Sequence, residues 1–377
     1  MNVLIMKSGL KNKFCYKPWE QIEIGDIVRP LGKVSLCCSC WVEKPIGTLD
    51  EDNLMDIWNS EYAQKVRQGV LDGTFSECNE KFCPHIQNGL LPDRDEVVNN
   101  DTFLWDGVYE IPSAQYKDII ENNITTTHGP EYLHLSYDDS CNLSCPSCRC
   151  EKISHTQGPE YEERKQIQDK ILDYAFDTKH KHRIILSVTG SGDPFGSKLF
   201  REFLFNADGE KNPNVFYNLQ TNGVLFTPRY WHKMKKIHKQ INTILISVDA
   251  ATKEVYDVVR RGGNWKLLNK NLLFMKELKA KKKIKGFRID MIVQQRNYKD
   301  MVDFVHLGKS VNADSVYFAA IRPWGQSELV KQFNEHDVWQ EDHPEHKQFL
   351  YILKDPIFDD PIVDLGNITE YKEKVYV

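Results

Sequence analysis

The chain has 377 residues, 41% hydrophobic and 27% charged, with a formal net charge of −5; that is enough to bury a full α/β domain and leave roughly 100 residues for a second, smaller one. The slightly acidic balance supplies no global basic field for nucleic acid or an anionic membrane, so neither is expected as a partner. No apolar stretch approaches the ~20 residues of a membrane span, and Met1 to Leu10 are too short for a secretory signal, which points to the cytoplasm.

In a chain without an export signal, ten cysteines read as metal ligands rather than disulfides. Six precede residue 84 and four lie between 141 and 150, which suggests two separate sites. From the amino terminus, Cys15-Tyr-Lys-Pro-Trp19 leads through Gly32 to Cys37, a C-x16-G-x4-C spacing. Gly47, Leu54, Ile57-Trp58-Asn59 and the pair Cys78 and Cys83 follow. The polar stretches Asn99-Asn100-Asp101 and Glu121 to His128 mark a junction, so a domain over 1–98 is separated by a linker, 99–129, from a core over 130–325.

The core opens a strand–helix alternation. Strands are expected at Tyr132 to Tyr137, Arg183 to Val188, Val215 to Leu219, Thr243 to Val248, Phe287 to Val293 and Ser315 to Ala320. Between them, Ile167, Ile171, Leu172 and Phe176, and again Trp265, Leu268, Leu272, Met275 and Leu278, recur at helical spacing. The basic run Lys276 to Lys285 reads as a solvated helix end. Such βα repetition gives parallel strands with right-handed crossovers and places functional residues at strand carboxyl ends. Pattern alone does not separate a barrel from an open sheet. The extension 326–377, with Trp339, Phe349, Leu350 and Leu353, shows no strand repeat and is expected to seal the barrel mouth or bottom.

Directly after the first core strand, Cys141, Cys145 and Cys148 follow a C-x3-C-x2-C spacing. Three thiolates leave one position open on a four-iron cluster, whereas a structural zinc knuckle, the competing reading, closes its coordination with four ligands. The second strand is followed by Thr189-Gly190-Ser191-Gly192-Asp193-Pro194, and the third ends in Gln220-Thr221-Asn222-Gly223. The fourth reads Ile246-Ser247-Val248-Asp249-Ala250, with Tyr256 and Arg260 beyond it. Each of these, alone, is a good turn or a solvated charge pair.

Taken together and in this order, the motifs resemble the radical S-adenosylmethionine (SAM) enzymes. The resemblance implies an α/β fold, a six-stranded partial (β/α)6 TIM-type barrel, with a 4Fe–4S cluster on Cys141, Cys145 and Cys148. Gly192 and Asp193 stand at the family's Gly-Gly-Glu-Pro motif, which holds the SAM amino group. Thr221, Ser247 and Arg260 map to the ribose and carboxylate contacts, roles that hydroxyls and a guanidinium fork suit. The residue before the third cysteine is usually aromatic and here is Ser147. The turn Val293-Gln294-Gln295-Arg296-Asn297 and the strand end near Ile321 are expected to line the adenine pocket.

Residues 13 to 85 resemble the SPASM/twitch modules that hold auxiliary 4Fe–4S clusters in such enzymes. That implies a second cluster on Cys15, Cys37, Cys78 and Cys83, with Cys38 and Cys40 as alternatives to Cys37. Zinc suits four thiolates equally well. Two departures stand out: the module precedes the barrel rather than following it, and its last pair is C-x4-C rather than C-x2-C.

The resemblance implies reductive SAM cleavage to a 5'-deoxyadenosyl radical, hydrogen abstraction from a substrate carbon, and an electron donor such as flavodoxin or ferredoxin. Oxidation would follow if the second cluster takes the substrate electron. Epimerisation would follow if a thiol returns hydrogen, for which Cys150 is the candidate in a low-dielectric site; a small buried side chain is its plainer reading. Cys38 or Cys40 are further thiols expected near the cavity. With no peptide-recognition segment evident before Cys15, the expectation tilts to a carbohydrate-type small substrate. Modification of a peptide or protein side chain is the alternative, and a zinc-bearing binding module without catalysis is the reading from another class.

Overall fold

The computed structural model describes residues 9–25, 30–39, 41–42, 44–50, 52–105, 109–180, 182–188, 191–322 and 333–374. They form two compact units, one comprising Met1–Tyr137 and Glu162–Leu186, the other Asp138–Tyr161 and Ser187–Val377.

In the first unit, strand β1 (Gln21–Gly25) pairs antiparallel with β2 (Lys33–Ser35), and β2 with β3 (Gly47–Thr48). On its other edge β1 runs parallel to the first core strand, Tyr132–Leu135, placing Ile22 opposite Leu133 and Ile24 opposite Leu135. All four side chains are buried, as the two-residue period of a strand demands when one face covers a core. Helix Leu54–Trp58 starts where the Asn53 side chain accepts from the amides of Met55 and Asp56, each at 3.0 Å. Helix Glu61–Leu71 is capped the same way by Ser60. It buries Ala63, Val66, Arg67 and Val70, a stripe at helical spacing.

Arg67 is the unusual member of that stripe. Its Nε donates to the Pro18 carbonyl at 2.8 Å, Nη2 to Trp58 at 2.8 Å and Nη1 to Thr125 at 2.7 Å, while the guanidinium lies 4.3 Å from the Trp58 ring centre. Burial pulls its pKa down to about 9.

Residues 99–129, expected to be a linker, carry elements of their own: the antiparallel hairpin β4 (Thr102–Trp105) and β5 (Tyr109–Pro112), and helix Ala114–Glu121. Phe103, Tyr116 and Ile119 are buried in the same core as Phe14, Trp19, Val70 and Phe75. Aromatic edges meet there, Phe103 against Tyr116 at 5.7 Å and Phe14 stacked on Trp19 at 5.6 Å. The polar flanks that read as a junction are the turns bounding this small motif.

The core strands appear where expected, each end within two residues: β6 (Tyr132–Leu135), β7 (Ile184–Val188), β8 (Val215–Thr221), β9 (Ile241–Ser247), β10 (Gly286–Val293) and β11 (Ser315–Ala320). In the second unit β8, β9, β10 and β11 pair parallel in that order. The expected helices are Pro159–Ala175 and Trp265–Ala280; the latter buries Leu268, Leu272, Met275 and Leu278. Lys281 to Lys283 stand exposed past its end. The extension adds one strand the sequence reading lacked, β12 (Val363–Asp364), parallel to β11. At two residues it is too short to show a period.

Candidate metal and SAM site

The loop after β6 carries Cys141, Cys145 and Cys148 in the second unit, the first two buried and the third exposed. Its course is fixed by backbone bonds: Cys141 N to Ile153 O at 2.9 Å, and Cys148 N and Arg149 N both to Cys145 O, at 2.9 and 3.0 Å. Such closely spaced turns bring the three side chains onto one short stretch of chain.

Every one of the three sulfurs has an N–H donor aimed at it. Cys141 Sγ receives the Leu143 amide at 3.4 Å and the Asn222 side-chain amide at 3.7 Å. Cys148 Sγ receives Arg149 Nη2 at 3.2 Å, and Cys145 Sγ receives Arg260 Nη1 at 3.8 Å. Donors and positive charge favour a sulfur that carries negative charge, a thiolate either free or metal-bound, over a neutral thiol. Against them, burial pushes the Cys141 thiol up to about 12, and burial raises Cys145 as well. Buried thiols that are raised by burial yet face N–H donors form a ligand set that a cationic metal centre completes. The residues fit the cluster.

Around this loop the expected SAM contacts take up definite places. Asp193 is fully buried and its carboxylate accepts from Thr221 Oγ1 at 2.7 Å and from the amides of Asn222, Phe195 and Gly196 at 2.8, 2.9 and 3.0 Å. The sequence reading puts Asp193 and Thr221 on SAM; in the structure they are bonded to each other. Burial raises the Asp193 pKa, and those four donors are what satisfies its charge. Gly192 lies so close to the cluster loop that a Cβ there would sit 2.5 Å from the Ser140 carbonyl oxygen. Thr189 and Gly190 of the same motif fall outside the described residues.

Ser247 closes β9 opposite Asp290 of β10. Two residues on, Asp249 adopts a left-handed backbone (φ 62°), which turns its side chain back to accept from Ile292 N at 2.8 Å and to pair with Arg260 Nε at 2.9 Å. Arg260 is thus held at one end by a carboxylate and at the other by a cysteine sulfur. Next to it, Arg261 donates through Nη2 to the Cys150 carbonyl at 2.8 Å and through Nε to Ser144 Oγ at 3.3 Å. Cys150 itself is exposed, so it lacks the shielding its expected role as hydrogen donor required. Gln294 and Asn297 are buried in the turn after β10, where Asn297 Oδ1 accepts from Gln294 N at 2.8 Å and Nδ2 donates to the Asp249 carbonyl at 2.9 Å.

Three contributors escaped the sequence reading. Asn222 lies in a motif that was recognised, but the role went to its neighbour Thr221. Arg149 and Arg261 carry no spacing signal; only the fold of the loop brings them to Cys148 and Cys150.

The first unit holds Cys15, Cys37, Cys38, Cys78 and Cys83, all without a disulfide. Cys15 feels Cys83 and Cys78, and Cys37 feels Cys15, Cys78 and Cys83; burial first, and these neighbours next, hold both thiols well above the ordinary range. The four expected ligands therefore form one electrostatic group. An antiparallel bridge between Val42 and Cys78, and Asn79 N on Trp41 O at 2.8 Å, bring the two ends of the module together. Cys40 lies outside the described residues.

Residues 136–307 match the Radical SAM superfamily, and residues 15–84 match the SPASM iron–sulfur cluster-binding domain. The chain is a radical SAM enzyme with its SPASM domain on the amino-terminal side, and its cofactors are SAM, the 4Fe–4S cluster of the core and a further iron–sulfur cluster in the SPASM domain.

Among curated proteins it is similar to the mycofactocin maturase MftC of Mycobacterium ulcerans, 26% identical over 205 residues, covering 54% of this chain and 49% of that one. The MftC of Mycobacterium tuberculosis is 25% identical over 205 residues, covering 54% and 46%. The chain thus spans about half the length of the curated relatives it matches. Among solved structures, Streptococcus suis SuiB bound to precursor peptide SuiA aligns with a TM-score of 0.45 at 14% identity, over 83% of this chain and 68% of that one. SuiB bound to S-adenosylmethionine aligns with a TM-score of 0.39 at 16% identity, over 56% and 43%. Among the described residues no helix is long and apolar enough to cross a membrane.

Proposed function

We propose that this enzyme modifies a peptide or protein side chain by hydrogen abstraction from carbon, with Cys141, Cys145 and Cys148 holding the SAM-binding cluster and Cys15, Cys37, Cys78 and Cys83 holding the second. The observation that carries the site assignment is the donor on each of the three core sulfurs. For the substrate, the maturase relatives weigh toward a precursor molecule and against the free carbohydrate that the sequence reading favoured.

When bound, the cluster and SAM supply reductive cleavage of the sulfonium to methionine and a 5'-deoxyadenosyl radical. The chain's own residues set the conditions. Cys141 and Cys145 are buried, which would shield their side of the cluster, whereas Cys148 is exposed. Arg149 and Arg260 stabilise negative charge on the sulfurs, which favours arrival of an electron. Asp249 fixes the angle of Arg260, so that the guanidinium stays on Cys145. Ser247 offers a hydroxyl at the carboxyl end of β9, where a ribose would be met.

After anaerobic reconstitution, the wild-type chain should hold about eight iron atoms and release 5'-deoxyadenosine from SAM and dithionite, whereas Cys145→Ala should hold about four and release none. Cleavage persisting in that variant overturns the ligand assignment. For the substrate class, a pool of short peptides should raise 5'-deoxyadenosine release above the uncoupled background, and a pool of nucleotide sugars should not. The reverse result restores the carbohydrate reading.

A further inference from the structure

A second set of metal-ligating side chains lies in the first unit, apart from every cysteine. Glu131 directly precedes β6 and His182 stands two residues before β7, with His128 one turn of loop upstream. One ligand atom from each of His128, Glu131 and His182 lies within 4.8 Å of the others. His128 Nε2 and Glu131 Oε1 are 3.2 Å apart, and the His128 and His182 ring centres are 4.8 Å apart.

The surrounding chain holds the set in place. The Ile185 amide donates to the Glu131 carbonyl at 2.7 Å, tying the entry of β7 to that of β6. Tyr174 donates its hydroxyl to the Pro130 carbonyl at 2.9 Å, and Gly129 beside it has φ +127° with no room for a Cβ, which would meet that hydroxyl at 2.2 Å. His180 packs its ring 4.9 Å from His182, but its own Nε2 is taken by the Tyr174 carbonyl at 2.9 Å. His182 differs: its Nε2 is shielded from solvent and has no hydrogen-bond partner. A buried ring nitrogen without a partner, on a residue grouped with a second imidazole and a carboxylate, is a polar atom that a bound ion would satisfy.

We propose that His128, Glu131 and His182 form a binding site for a single divalent transition-metal ion of the zinc type. Bonds of about 2.0–2.2 Å to imidazole nitrogen and carboxylate oxygen place neighbouring ligand atoms roughly 3–3.5 Å apart, which the His128–Glu131 separation already meets. Two imidazoles and one carboxylate suit zinc and its neighbours, and disfavour magnesium or calcium, which take oxygen sets. The set precedes β6 and β7, so the ion pins the two strand entries together. The competing account is a plain His128–Glu131 ion pair with His182 beside it.

The test uses the holoenzyme with both clusters reconstituted, so that the seven ligand thiols are closed to zinc, and with the remaining thiols alkylated; it is stripped of loose metal on a chelating resin and titrated anaerobically with zinc chloride by calorimetry. The wild type should bind one further equivalent of zinc and unfold at a higher temperature with it. His128→Ala, Glu131→Gln and His182→Ala should each weaken that binding at least tenfold while keeping full iron content. His128 is exposed, so its variant stands in if His182→Ala fails to hold its clusters. No zinc uptake by the wild type, or equal uptake by the variants, leaves only the ion pair and overturns the proposal.

Discussion

Arg149 separates charge from shape at the core site. It is buried, and besides Cys148 its guanidinium donates to the Asp139 and Ser191 carbonyls, so no carboxylate partner neutralises it through a hydrogen bond that the structure records. Cys148, Cys141 and Asp139 are the negative groups that raise its pKa against the pull of burial. Arg260, by contrast, is matched by Asp249. Replacing Arg149 by Gln should keep the cluster but lower its reduction potential, since one positive charge beside a ligand sulfur is gone. SAM cleavage should slow by about 10–100-fold, the usual reach of groups behind a metal ligand. A redox titration followed by electron paramagnetic resonance reads the potential directly, and an unshifted potential rejects the role. None of this was legible in the sequence. The three cysteines announce themselves by spacing, but an arginine between Cys148 and Cys150 gains its meaning only when the loop folds back on Asp139 and Ser191.

At the scale of elements, the turn after β7 and the turn after β8 are joined through the Asp193 carboxylate. An Asn at this position keeps the acceptor for Phe195 and Gly196 but turns an amide toward Thr221 and Asn222, donor against donor. Asp193→Asn should cost about 1–3 kcal/mol in denaturant unfolding and also loosen Asn222 from Cys141. If the variant matches the wild type in stability and SAM cleavage, the joint is not as described. The strands and long helices were readable because each carries enough residues to show its period, and burial follows it in Leu268, Leu272 and Met275. What escaped was short or masked by polar neighbours: β12 at two residues, and the hairpin and helix over 102–121, whose few apolar anchors are Phe103, Tyr116 and Ile119. The motif residues were found but their partners were not. A sequence shows that Asp193 and Thr221 matter together without showing that each is the other's hydrogen-bond partner.

For the whole molecule, stability should depend on acidity through His134 on β6. Burial holds its pKa at about 4, well below its ordinary 6.5. Below the ordinary value the unfolded chain takes up a proton that the folded chain refuses until about 4, so stability should fall as pH drops across that window and level off beneath it. The loss is at most about 3 kcal/mol, and smaller because His134 is half-buried rather than fully enclosed. Denaturant midpoints between pH 4 and 7 should show a shallower slope for His134→Gln than for the wild type; parallel slopes dismiss the effect.

The guanidinium of Arg67 reaches carbonyls at Pro18, Trp58 and Thr125, and the Trp19 indole donates to Ile124 at 2.9 Å. A recombinant fragment stopped at residue 98 would keep all the cysteines of the SPASM region yet lose the Thr125 carbonyl that the buried cation meets and the Ile124 carbonyl that Trp19 meets. Expressed alone, such a piece should lose its iron on desalting while the full-length protein keeps it. Anyone transplanting this module onto another scaffold therefore has to carry the sequence through Thr125 along with it.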